Sequence, residues 1–391
     1  MSQFTFAALL LTSIYSIAPS AHATDVVQTI QNNTAHFRGL DNPRQLHFNQ
    51  SNTQAVAVSG DDNALVTFTI NEQYQLIQTQ VFQSTEAQPL LLTGASDAHF
   101  INDKLIISSS FYDGAVTLFG KDEYGEFRYL QSFSDEVSYR DVFDPAKDVS
   151  KNDSLGLFAP WKITLSRDKS LAFVPSYKSN AVAVFAISPL GKVTWLYAIG
   201  KSQAVDLGSP VDVLVHQNNQ RIIVAGYEGN SLAVLHRNVH GEYVLKQRIS
   251  QSSEGLAYLN KPQALVANKD LTVFYVAASG SNSILVFKQQ PDKQYRLIQT
   301  INKEQVGLPL KGVSTLLLSP NNNQLYAASE TSTGITEFSI AASGELTHTQ
   351  NIDQPEQPLA NISSMTFGML NTHLVVSLAK QDTIKILKLR K

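Results

Sequence analysis

The chain has no cysteine among its 391 residues. That excludes disulfides, thiolate metal sites, a cysteine nucleophile and a lipid on an N-terminal cysteine. Stability must then come from the buried core, which is ordinary for a protein of the bacterial periplasm. Charge is sparse as well: 16% of residues are Asp, Glu, Lys or Arg, and the formal net charge is −3. With no cluster of Lys and Arg, the basic footprint of a nucleic-acid binder is missing. No stretch beyond the first twenty-odd residues is long and apolar enough for a membrane span. There is no Gly-x-Ser-x-Gly elbow, no Gly-rich phosphate loop and no His-Glu-x-x-His pair.

What is present begins with MSQFTFAALLLTSIYSIAPSAHA. An apolar run from Phe4 to Ala18 ends at the small-x-small site Ala21-His22-Ala23, so residues 1–23 read as a secretory signal peptide, although no Lys or Arg precedes the run. The mature chain is expected to start near Thr24 and to be periplasmic or secreted.

The rest is repetitive. The segments NALVTF, GAVTLF, NAVAVF, NSLAVL, NSILVF, TGITEF and DTIKIL end at Phe68, Phe119, Phe185, Leu235, Phe287, Phe338 and Leu387, at spacings of 51, 66, 50, 52, 51 and 49 residues. Around each lie further short runs of Val, Ile, Leu, Phe and Tyr bounded by Asn, Asp, Gly and Ser, four strand signals per unit. Four strands repeated radially at this period describe an all-β, seven-bladed β-propeller of four-stranded antiparallel blades. Residues 24–391 form this one domain. The last unit has three strands before the chain ends, and residues 25–31, DVVQTIQ, resemble the outer strand RLIQTIN at 296–302. The N-terminal strand is therefore expected to close the last blade, because an open ring would expose two apolar sheet faces and free strand edges.

Two stretches, LLLSPNNNQLYAASETSTGITEF and FYVAASGSNSILVFKQ, resemble the repeat of the lactonase-like and YVTN-type propellers. The resemblance extends over all seven units and implies that fold. It also implies hydrolysis of a sugar or acyl lactone as one possible activity, since the superfamily contains lactone hydrolases, muconate cyclases and exported binding propellers. The Pro-Asp-Gly turn of the family is eroded here to Arg167-Asp168-Lys169, Gln217-Asn218-Asn219 and Pro320-Asn321-Asn322. No His, Arg and Glu can be matched to the cyclases' catalytic set, so no catalytic residue is carried over.

Ligands of propellers bind around the central channel. Aligning the innermost strands gives a polar or small column, Gln45, Asp97, Lys162, Asp212, Ala264, Thr315 and Ser364, followed by an apolar one, Leu46, Ala98, Ile163, Val213, Leu265, Leu316 and Met365. Alternation along a strand sends the first column to the channel and the second between blades. Lys162 facing Asp97 and Asp212 is a candidate site for a small polar ligand, with hydrated, mutually paired channel residues as the plainer alternative. His47 and His99 occupy comparable positions in neighbouring units, but without a third histidine or a placed carboxylate no metal site is assigned; a divalent metal in the channel is left open and no cofactor is implied. His216, His240, His348 and His373 are expected in turns or exposed strands. Tyr177 and Tyr227 recur in the second-to-third-strand turns, where they suit stacking on a ligand or shielding of blade edges. The one long spacing marks an acidic insertion at 134–157, expected on the ligand face as a cap or as a solvated loop, with Tyr139 and Phe143 its candidate contact residues. The preferred reading is an exported binding or scaffold propeller for a protein partner or small polar ligand; the alternative is a lactone hydrolase.

Overall fold

In the computed structural model the described residues are 25–201, 205–253, 255–302, 308–354, 356–368 and 371–389, and the expected signal peptide lies outside them. Seven four-stranded antiparallel sheets form the ring. The blades span residues 43–83, 95–134, 164–199, 210–250, 262–302 and 315–352, and the seventh combines 362–388 with the N-terminal strand Asp25–Gln31. That strand pairs antiparallel with Thr383–Lys388, Ile30 opposite Ile384, so the expected closure of the ring is present. No described helix is long and apolar enough to cross a membrane.

The repeat is a packing repeat. All seven residues that set its period, from Phe68 to Leu387, are fully buried. Buried apolar side chains among the described residues fall into seven clusters, one in each gap between neighbouring blades. Each twisted sheet offers two apolar faces that only its neighbours can cover, which is why the middle strands carry nearly continuous apolar runs.

A side-chain clamp adds to this packing. Gln28 on the N-terminal strand donates to the Leu76 carbonyl at 3.0 Å and accepts from the Leu76 N–H at 2.8 Å. Gln80 grips Phe127, Gln247 grips Tyr295 and Gln299 grips Leu346 in the same two-handed way. Each glutamine lies on one blade's outer strand and satisfies the first residue of the next blade's outer strand. The likeness between residues 25–31 and 296–302 is thus partly the likeness of Gln28 and Gln299.

The eroded turns keep their shape. Lys169, Asn219 and Asn322, which stand where the family turn has glycine, adopt φ of 55°, 59° and 57°. Asparagine tolerates this left-handed conformation at little cost, and a lysine there is unusual.

The insertion is anchored rather than loose. It contains a short helix, Tyr139–Phe143, and a single 3-10 turn, Ser150–Asn152. Asp135 accepts hydrogen bonds from the N–H groups of Ser154 and Leu155, and the Trp195 indole donates to the Leu155 carbonyl at 3.0 Å. Asp153 is almost fully buried between Lys201 and the Ser179 hydroxyl.

Candidate functional site: the channel and its mouth

The apolar column is buried at all seven positions, as alternation requires. The polar column behaves differently. Only Gln45, Lys162 and Thr315 line the cavity at the channel mouth, while Asp97, Asp212, Ala264 and Ser364 are buried. In six blades the preceding residue lines it as well: Arg44, Ser96, Trp161, Gln263, Ser314 and Ser363. For Arg44, Ser96, Gln263 and Ser363 the cause is a register shift, between Pro43 and Gln45, Ala95 and Asp97, Pro262 and Ala264, and Ile362 and Ser364; the same shift between Pro210 and Asp212 leaves Val211 buried. An extra residue at a β-bulge leaves the ladder and re-aims its side chain, which strict two-residue alternation does not anticipate.

The two buried aspartates tie blades together. Asp97 accepts the N–H of Ala98 at 2.8 Å and, across the gap, that of Ile163 at 2.9 Å. Asp212 accepts the N–H of Val213 and that of Leu265, both at 2.9 Å. Each carboxylate then receives side chains. The Lys162 ammonium donates to Asp212 at 2.8 Å, and it does not bond Asp97. Asp97 holds the two histidines: His47 Nε2 lies 3.2 Å from one carboxylate oxygen and His99 Nε2 3.1 Å from the other. The two rings stack with centroids 3.8 Å apart.

Both imidazoles keep a polar, partly open setting, with side-chain exposures of 27% and 22%, while the Asp97 side chain has 2%. Burial would raise the Asp97 pKa, but His99 and His47 outweigh it and hold the carboxyl far below the usual range. His47 is pushed down from 6.5 by burial, with His99 and the Lys162 ammonium adding to the shift against the pull of Asp97. An ionised Asp97 facing a neutral His47 fixes the tautomer: Nε2–H points at the carboxylate and Nδ1 carries the lone pair. Among the described residues no hydrogen bond is made to either Nδ1.

Two imidazole nitrogens and a carboxylate oxygen, all within 4.8 Å of one another, form a donor set suited to a zinc-like ion. The bonding already present favours a different use. Asp97 receives four donors, two backbone N–H groups and two Nε2–H groups, so its lone pairs are satisfied without a cation. The arrangement is that of a base and its orienting carboxylate, doubled.

A cavity of about 360 Å³ opens at the channel mouth; Gln45 and Ser96 line it, while His47, Asp97 and His99, further along the same two strands, do not. One wall is charged and polar: Asn42, Asp61 and the pair Arg44–Glu330, which meet at 2.9 Å. The other wall is aromatic, formed by Phe111, Tyr112 and Trp161 beside Lys162. Gly94 permits this wall, because at its φ of +65° a Cβ would collide with the Tyr112 ring. Lys162 links the two levels, lining the cavity while acting electrostatically on His47.

Of the residues singled out from sequence, Gln45 and Lys162 reach the cavity, Asp97 and His99 lie deeper in the channel, and Asp212 positions Lys162. Tyr177 and Tyr227 do not line the cavity; their rings are 6.4 Å apart, and Tyr177 stands 6.4 Å from Trp161. None of residues 134–157 lines it either, so the insertion stands beside the mouth and does not cap it; Tyr139 and Phe143 pack on Tyr112 and Phe111. The carboxylate found wanting between His47 and His99 is Asp97, which the linear alignment had placed facing Lys162. His373 is buried, not exposed as expected, and its strand pairs on both sides within blade 7. Arg44, Glu330 and Trp161 were not anticipated; a polar or aromatic residue one place before the aligned column was the available signal.

A family model described as lactonase, 7-bladed beta-propeller, matches residues 262–389. No curated protein matches the sequence. Many solved structures share the fold. The periplasmic gluconolactonase PpgL of Pseudomonas aeruginosa is 13% identical with a TM-score of 0.62, covering 84% of this chain and 88% of that one. A protein of Bacteroides fragilis with a provisional assignment as a 6-phosphogluconolactonase is 16% identical with a TM-score of 0.63, covering 90% of this chain and 92% of its own. The Swd1 propeller domain of Myceliophthora thermophila is 10% identical with a TM-score of 0.62, covering 93% of this chain and all of that one. At these identities the likeness establishes the fold alone.

Proposed function

We propose that this lactonase-like seven-bladed propeller hydrolyses a lactone in its channel mouth, as an exported enzyme. The observation that carries the reading is the pair of imidazoles hung on one buried carboxylate beneath a polar cavity. The lactonase family match and the gluconolactonase fold neighbour support it over the scaffold role preferred from sequence.

In this reading a water near Nδ1 of His47 or His99 gives its proton to the imidazole as its oxygen attacks the lactone carbonyl carbon. Asp97 stabilises the imidazolium that forms and keeps the ring aimed. The Lys162 ammonium, steadied by Asp212, faces the negative charge developing on the carbonyl oxygen. The ring C–O bond then breaks, the leaving alkoxide takes the proton back from the imidazolium, and a hydroxy acid departs.

The test is a panel of aldonolactones and acyl lactones with purified residues 24–391, followed in a pH-stat and repeated after dialysis against EDTA. Turnover that survives EDTA is expected. Rates equal to buffer hydrolysis for every lactone would refute the reading and return the protein to the class of binding modules. The pH dependence supplies a second check. Because the His47 pKa is lowered from 6.5, the base stays neutral down to that depressed value. Accordingly kcat/KM should stay level from pH 7.5 to about 6.5 and fall only below it; a fall beginning above pH 7 would contradict the assignment of the base.

A further inference from the structure

The aromatic side of the mouth is larger than a single lactone ring needs. Ring contacts run without a gap from the insertion helix across blades 2, 3 and 4. Tyr139 meets Tyr112 at 5.5 Å, Tyr112 meets Phe111 at 5.2 Å, Phe111 meets Trp161 at 5.6 Å, and Tyr177 and Tyr227 continue the arc at 6.4 Å steps. Tyr112 and Tyr139 leave 45% and 42% of their surface exposed. Phe111, Tyr112 and Tyr139 pack on one another and belong to no inter-blade cluster, so shielding a blade edge does not account for them, whereas Trp161, Tyr177 and Tyr227 also pack against the cluster between blades 4 and 5. The insertion, the one departure from the regular repeat, supplies the terminal ring.

The facing wall has a different chemistry. Asn42, Asp61, Arg44 and Glu330 form a linked row of planar groups, Asn42 donating to Asp61 at 3.1 Å and Arg44 to Asn42 at 3.3 Å, whose remaining N–H groups and lone pairs suit hydroxyls. Arg44 is held by Glu330 and Lys162 by Asp212, and Asp61, bonded only to the neutral Asn42 amide, leaves one carboxylate in excess. Beside the arc, the Lys178 and Lys261 ammonium groups lie over the rings of Phe143 and Tyr227. A phosphate would therefore meet a surplus of carboxylate charge, with Arg44 and Lys162 already shared with Glu330 and Asp212. Apolar C–H faces stacked on rings, hydroxyls on planar polar groups and no demand for charge together describe a neutral saccharide.

We propose that the mouth binds a neutral oligosaccharide whose terminal unit enters the cavity and whose next units lie along the aromatic arc. The terminal unit is the lactone if the hydrolytic reading holds, and this part rests on that reading. Chain length and absence of phosphate then set specificity.

Binding is measured by calorimetry with neutral alditols of glucose and of two- to four-unit glucose oligosaccharides with α-1,4 or β-1,4 links, and with gluconate alongside 6-phosphogluconate as a charged pair. None of these is a lactone, so the measurement is independent of catalysis. For one linkage series, affinity should rise about tenfold or more between one and three units, a gain within reach of one or two stacked rings. Gluconate should bind at least as well as 6-phosphogluconate. Trp161→Ala and Tyr139→Ala should each remove most of the gain from chain length. Tyr139 sits on an exposed insertion helix, so an unchanged melting curve for Tyr139→Ala keeps the test valid even where Trp161→Ala unfolds. Affinity independent of length in both series, or tighter binding of the phosphorylated acid, overturns the proposal. Hydrolysis of simple lactones without length dependence would sink this inference alone; length-dependent binding without any lactone turnover would sink the hydrolytic reading alone.

Discussion

Asp97→Asn should lower kcat/KM for a lactone substrate by roughly 10²- to 10⁴-fold, the usual worth of a positioned base. The substitution keeps the shape and removes the charge that orients both imidazoles. It also places an amide NH₂ where one Asp97 oxygen now faces two donors, an N–H and an Nε2–H, on each side. A buried donor left facing donors costs about 1–3 kcal/mol, so the variant should lose stability by a comparable amount. His99→Gln is the companion variant, since it removes one ring and spares the backbone ties of Asp97. Full activity in both variants, measured at matched folded fractions, would eliminate the imidazole–carboxylate base.

The same cluster makes stability depend on pH, and the sign follows from the two shifts. The folded pKa of His47 lies below 6.5, so from about pH 6.5 downward the unfolded chain binds a proton that the native state refuses, and stability falls with pH. The folded pKa of Asp97 lies far below its ordinary 3.8, so its contribution is fully present above about pH 4 and is lost as pH falls further toward the native value. Urea midpoints should thus decline in two stages, and His47→Gln should abolish the upper one and weaken the lower, since His47 is one of the two partners that hold Asp97 down.

Deleting residues 24–32 should be the most damaging truncation. It removes the outer strand of blade 7, with its six paired positions, and the fully buried Ile30. It also removes both hydrogen bonds of the Gln28 clamp to Leu76, and Asn32, whose side chain holds the Leu40 N–H and Asp62. Burial of one Ile is worth about 2–3 kcal/mol, and the lost polar ties add about 1 kcal/mol each. A drop of roughly 10 °C or more in melting temperature is expected, together with aggregation through the bared edge. A synthetic peptide of residues 25–32 added in trans should recover part of the loss by adding a strand. Equal melting temperatures for truncated and intact mature chains would show that ring closure contributes little.

The ring was legible in the linear chain because its cause is local and repeated. Every fifty residues the same apolar strand must be covered by a neighbour, and that demand is written into Phe68, Phe119 and their five counterparts. The closing strand was legible for a related reason, since Gln28 and Gln299 perform the same task in different blades. Burial of the column from Leu46 to Met365 followed from simple alternation. The site was not legible to the same degree. Bulges at Arg44, Ser96 and Gln263 turn residues into the mouth that two-residue counting assigns elsewhere, and nothing in the run PRQLHF signals a bulge. The partnership of His47, Asp97 and His99 joins residues 50 and 52 positions apart in sequence, in two blades, and it depends on Asp97 turning away from Lys162. The aromatic arc likewise exists only once the insertion helix docks on the turns of blade 2. Repetition along the chain determined the architecture, because covering oily faces has one answer at each repeat. Which carboxylate meets which cation was decided only by the curvature of the closed ring, because contacts across a channel are set by geometry that no single blade contains.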